Sequence, residues 1–112
     1  MKTMLITIVL LLLSTNVFAR DGEFGLGLYV TTKGFFSPKL ETVVVSEIID
    51  GQSAHREGVV VGDDILSIDG CTIPGCSAKK AQNIMKKDVG ESILITIRTT
   101  DGKTKEIELV AE

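Results

Sequence analysis

The sequence predicts a small α+β fold, with about five antiparallel strands in a partly open barrel and two helices. Three observations carry that expectation. β-Branched runs recur between turns marked by glycine and Asp-Gly, as strands require. One stretch, residues 77–87, repeats apolar residues at three- and four-residue steps, as an amphipathic helix does. Asp101-Gly102 separates two alternating segments near the end of the sequence, which is a strong hairpin signal.

The first stretch is read as lying outside this fold. Lys2 precedes the apolar run MLITIVLLLL (residues 4–13), then a polar STN and Val17-Phe18-Ala19. A basic start, a short apolar run and small residues at alternate positions describe a secretory signal peptide over residues 1–19, cut after Ala19. The run is short for a bilayer span, although an uncleaved membrane anchor is the competing reading. No cysteine follows it, so lipid attachment at the cut is not indicated. Residues 20–112 are then expected to form a single exported domain, periplasmic or secreted, large enough for one core.

The remaining elements follow in order. GEFGLGLYV opens the domain with two glycines in strand-like material, Gly25 and Gly27. KGFFSPKL is a loop, and TVVVSE (residues 42–47) is a strand. After the Asp50-Gly51 turn, Ser53 is expected to cap a short helical turn that Gly58 ends. Gly62-Asp63 shapes the approach to a strand over residues 65–68, closed by Asp69-Gly70. The helix over residues 77–87 presents Ala78, Ala81, Ile84 and Met85 on one face, and Lys79, Lys80, Lys86 and Lys87 elsewhere. Residues 92–99 and 103–110 form the final hairpin.

Several chemistries are excluded by what the chain carries. Its net charge is −3, and Lys2 is the only charge in the leader, so cleavage makes the balance more acidic still. With no Trp and few aromatics, neither a basic phosphate-binding surface nor a base-stacking platform is expected, so nucleic acid is not a partner. Gly25 and Gly27 run into strand residues rather than a helix, and no Gly-Lys-Ser/Thr follows, so they are not a phosphate loop. The one histidine, His55, lies in a short polar turn with no nucleophile to serve. Asp63 and Asp64 are neighbours on a strand and point to opposite faces, which prevents a shared proton or metal. No enzyme, cofactor or metal site is expected.

Cys71 and Cys76 share one loop, CTIPGC. The spacing is not that of a redox Cys-x-x-Cys, and no second pair supplies zinc ligands. In an exported chain a local disulfide is the favoured reading, with two free thiols as the alternative.

The glycines make sense if the loop at residues 24–27 aims successive N–H groups into one concavity, a nest for an anion such as a terminal carboxylate. The strand after it then offers an open edge to which a peptide adds. In these features the sequence resembles a PDZ domain, from about Phe24 to Val110. Gly25-Leu26-Gly27-Leu28 stands where that family has its carboxylate-binding loop. VVVSEI, then Ser53-Ala54 through Gly58, then VGDDILSIDG follow its central pattern in order. Too few residues precede the loop for the strand that animal-type members carry there, and the final hairpin supplies an extra strand instead. The chain therefore resembles the circularly permuted bacterial type found in C-terminal processing and high-temperature-requirement proteases.

The resemblance implies roles for particular residues. Gly25, Leu26, Gly27 and Leu28 would form the carboxylate site, through the N–H groups of Leu26, Gly27 and Leu28. Leu26, Leu28 and Ile84 would line the pocket for the ligand's last side chain, although plain core packing wants the same apolar residues at Leu28 and Ile84. Tyr29 and Val30 would pair with the ligand backbone, and Ser77, Ala78 and Ala81 would face its upstream side chains. The expected groove runs between residues 28–32 and the helix at 77–87. The function implied is capture of C-terminal or extended peptides, as an adaptor or modulator of an envelope protease or its substrates. A structural docking module of an envelope or secretion assembly, its groove unused, is the alternative. A membrane partner is expected only if the leader stays uncleaved.

Overall fold

A first hairpin whose two strands bend differently begins the fold. The structure is a computed structural model that describes residues 23–112, so the expected signal peptide lies outside the described residues. Strand β1 (Leu26–Lys33) pairs antiparallel with β2 (Lys39–Ile48). Along β1 the inward residues Leu26, Leu28, Val30 and Thr32 alternate regularly. Their partners on β2 are Ile48, Val45, Val43 and Leu40, spaced by three, two and three. Bulges cause this: Ser46 and Glu41 are extra residues, exposed to solvent, and each lets β2 keep its apolar side chains on the core face.

The helix α1 (Ser53–Arg56) and strands β3 (Asp64–Ile68) and β4 (Cys71–Thr72) follow, then α2 (Ala78–Met85), β5 (Ser92–Arg98) and β6 (Thr104–Val110). The strands form one antiparallel sheet in the order β1-β2-β3-β5-β6, with β4 paired to β3. This is the expected α+β architecture. The sheet curls until its ends approach. Glu23 and Glu112 exchange backbone bonds, N–H to carbonyl, at 3.0 and 2.8 Å, so the lead-in to β1 lies beside the end of β6.

The core comes from alternation on β5 and β6 and from spacing by three on β3. Ile93, Ile95, Ile97, Ile107 and Leu109 all point inward, joined by Ile65 and Ile68 across a bulge at Leu66. Among the described residues the buried apolar side chains run from Phe24 to Ala111 and form one cluster.

Polar fastenings hold the ends in place. Ser53 does not cap α1, as the sequence suggested. It is the first helical residue, and its buried hydroxyl accepts the Val110 N–H at 2.9 Å. The Glu112 carboxylate accepts the Ser53 N–H at 2.8 Å and pairs with Arg56 at 2.7 Å. That guanidinium, helped by the Ser53 N–H, holds the Glu112 carboxyl below its ordinary range. Asp63 is 1% exposed, and its Oδ2 accepts the Val60 N–H at 3.0 Å, while Asp64 turns away to pair with Arg98 at 3.1 Å. Asp63 thus closes a turn, and Asp64 pairs across the sheet. Cys71 and Cys76 are joined by a disulfide, with Cα atoms 5.3 Å apart.

Candidate functional site

β1 is an edge strand, and the question is which of its backbone groups are unpaired. Three flanking bonds answer it. The Ile49 N–H donates to the Gly25 carbonyl at 2.9 Å, which makes Leu26 and Ile48 a wide pair of the ladder. Val45 spends both backbone groups on the β3 side, donating to the Asp63 carbonyl and accepting from the Gly62 N–H, each at 2.9 Å. Leu40 likewise donates to the Cys76 carbonyl at 2.7 Å and accepts from the Gly75 N–H at 3.0 Å. Leu26, Leu28 and Thr32, opposite these residues, therefore turn their N–H and carbonyl groups outward. By alternation Val30 does the same.

This places the expected site residues and redistributes their roles. The outward donors near the glycine loop are those of Leu26 and Leu28. Gly27 sits opposite Glu47 with its own N–H turned toward β2, so the expected nest of three donors is a pair of donors. Its lack of a side chain has another cause: a Cβ there would lie 3.2 Å from Glu47 Cβ. Gly25 shapes the loop itself, at φ +81°. Tyr29 also turns its backbone inward, toward Val44, and points its ring, 63% exposed, to the outer face. Val30, not Tyr29, offers ladder groups to a ligand.

The opposite wall is α2. Its start is fastened to the far end of the hairpin: the Ala78 N–H donates to the Pro38 carbonyl at 3.0 Å, and Ser77 bridges to Lys39. The disulfide loop presents Gly75 and Cys76 to Leu40 and so fixes where the helix begins. Ser77 accepts the Lys80 N–H at 3.3 Å as the helix cap, which engages its hydroxyl locally. The helix ends at Met85, two residues before the sequence suggested.

Between the two walls lies an apolar cavity of about 290 Å³. Leu28, Val30 and Thr32 enter it from β1, and Ala78, Ala81, Gln82 and Met85 from α2, over a floor of Leu40, Val43 and Ile68. The structure thus brings Leu28, Val30, Ala78 and Ala81 together. Ile84 is half-buried and packs against the core outside this lining, while Met85 takes the position at the groove. On α2, Gln82 and Met85 line the groove beyond the residues expected from the sequence, and Leu40, Val43 and Ile68 add an unexpected floor. The signal for Gln82 and Met85 was present, since positions 78, 81, 82 and 85 form one i, i+3, i+4, i+7 row. Nearer the glycine loop, Leu26, Leu28, Ile68 and Met85 leave only about 10 Å³ among the core isoleucines. The roomy part of the groove reaches from Leu28 toward Ala78 and leaves Leu26 outside its lining.

Among the described residues, no cluster of His, Cys, Asp and Glu could hold a metal ion. The arrangement offers a row of ladder donors and acceptors beside an apolar trench, which is what an extended peptide can use.

Comparison with known proteins gives concordant results. A family model for the PDZ domain matches residues 15–98. Syntenin-2 of Rattus norvegicus is 34% identical over 77 residues, covering 69% of this chain and 23% of its own length. Syntenin-1 of Homo sapiens is 33% identical over 79 residues, covering 70% and 24%. The chain spans about a quarter of these relatives. Among solved structures, a photosystem II D1 C-terminal processing protease superposes with a TM-score of 0.58 at 22% identity, covering 79% of this chain and 22% of that one. The HtrA-type protease AlgW with decapeptide gives 0.58 at 20% identity, covering 80% and 28%. A PDZ domain protein from Parabacteroides distasonis gives 0.54 at 20%, covering 78% and 20%.

Proposed function

Since the chain belongs to the PDZ domain family, whose members are protein- and peptide-binding modules, we propose that it captures the ends of other proteins by adding them as a strand to β1. The outward groups of Leu28, Val30 and Thr32, facing the apolar cavity under α2, carry this reading. A ligand strand antiparallel to β1 would satisfy those groups and place alternate side chains in the cavity. Its terminal carboxylate would reach the N–H groups of Leu26 and Leu28, where charge-assisted bonds are worth roughly 1.5–3 kcal/mol each. The tight packing beside Leu26 favours a small last residue, and the trench beside Ala78 favours a large apolar residue upstream. A structural neighbour solved with a decapeptide is in keeping with a peptide as the ligand.

The same proposal includes the setting. We infer from the leader that the domain is exported to the periplasm or beyond, where it would serve as an adaptor or modulator of envelope proteolysis.

A peptide-library screen followed by calorimetry tests the binding mode. The best free-carboxylate peptide should lose on the order of tenfold or more in affinity when amidated at its C-terminus. N-methylation of a backbone nitrogen that faces β1 should cost a similar factor, while N-methylation one residue along should not. Full binding by the amidated peptide, with sensitivity to N-methylation, would mean internal strand addition. Insensitivity to both changes would refute strand addition altogether.

A further inference from the structure

Phe35 and Phe36 are 88% and 91% exposed, side by side in the loop that joins β1 to β2. Their rings stack edge to face with centroids 4.9 Å apart. Single exposed apolar residues are ordinary, but two adjacent phenyls with almost no cover mark a surface that meets something apolar.

Charge identifies what it meets. Lys33 and Lys39 are directly opposite each other as the last pair of the β1–β2 ladder, at the base of this loop. Like charges so placed are destabilising, and neither lysine forms an ion pair among the described residues. The Pro38–Ala78 bond and the Lys39–Ser77 bridge bring the start of α2 to the same end, with Lys79 and Lys80 exposed on it and also unpaired among the described residues. Glu41 is the acid beside them. The chain as a whole is acidic, so this end runs against the sign of the molecule. A protruding phenyl pair collared by lysines suits a deformable partner that is apolar inside and anionic at its surface.

We propose that the loop at residues 34–38 inserts Phe35 and Phe36 into the interfacial layer of a bilayer containing anionic lipid, with Lys33, Lys39, Lys79 and Lys80 against the headgroups. Apolar insertion and basic attraction add in such contacts, since one acts on the acyl boundary and the other on the surface potential. The site is separate from the peptide groove in its residues and stands without it.

Co-sedimentation with vesicles tests the proposal, using the protein from Arg20 onward, which keeps all of the described core cluster. It should pellet with phosphatidylcholine vesicles containing a quarter phosphatidylglycerol, and less so as salt rises. The double variant Phe35→Ser/Phe36→Ser should lower binding on the order of tenfold or more. Lys33→Gln/Lys39→Gln should also lower it on the order of tenfold, and only on anionic vesicles. All four side chains are exposed, so neither variant should melt below the parent, and relief of the Lys33–Lys39 repulsion should raise the melt of the lysine variant slightly. No sedimentation with anionic vesicles, or binding that neither pair of substitutions changes, would overturn the proposal. A lipid-free, concentration-dependent dimer that Phe35→Ser/Phe36→Ser abolishes, without vesicle binding, would overturn it in favour of self-association.

Discussion

Gly25 and Gly27 were alike in the sequence and have different jobs in the fold. Gly25 adopts φ +81°, and a Cβ there would stand 2.4 Å from Gln52 Cβ. Gly25→Ala combines a left-handed backbone with a collision, which together cost about 1–3 kcal/mol. A drop in melting temperature of several degrees is the expected result in a thermal melt, and an unchanged melt would show that the loop relaxes freely. Gly27 has no left-handed φ, and a side chain there would crowd that of Glu47. Sequence reasoning placed both in the loop that receives a carboxylate, because it could see glycine spacing but not ladder parity. Which N–H groups face outward depends on bonds made by Ile49, Val45 and Leu40, none of which is local to the glycines. The cysteine pair was legible for the opposite reason: its partners are five residues apart in one loop.

At the scale of elements, α2 matters for what it lacks. Ala78 and Ala81 keep the middle of the groove wide, and Leu40 and Val43 form its floor. Ala78→Leu is expected to fill that space while preserving the helix, since leucine is a good helix former and Ala78 is only half-buried. Affinity for a peptide with a large upstream side chain should fall on the order of tenfold, because that side chain loses its burial. Competition titrations would measure it, and stability should stay within about 0.5 kcal/mol of the parent. Undiminished affinity would place the ligand elsewhere. The helix and the final hairpin were readable from periodicity alone. Strand β2 was readable only in its middle, because its bulges at Glu41 and Ser46 break the two-residue repeat that marks a strand. The sequence marks β3 only over Ile65–Ile68, because nothing local signals Asp64, which pairs with Arg98 across the sheet.

For the whole molecule, the family and the architecture were legible because the run VGDDILSIDG and the hairpin at Asp101-Gly102 are specific in order as well as in type. The proposed export rests on the leader, whose chemistry predicts a processed protein starting at Arg20. Intact mass spectrometry of the exported product should find that first residue. A product retaining residues 4–13 in the membrane fraction would point to the anchor instead. The final strand β6 is marked in the sequence by alternation and the Asp101-Gly102 turn, and its place is explained by the curl of the sheet. It lies on the far side of β5, where it can meet the lead-in to β1.

That meeting has a consequence for engineering and for evolution alike. The backbone exchange between Glu23 and Glu112 puts the way into the domain and the way out of it within one hydrogen bond of each other. A host protein could therefore receive residues 23–112 within a surface turn without its own chain having to part by more than a strand spacing. Such a cassette would carry its groove at a fixed geometry to its own two ends.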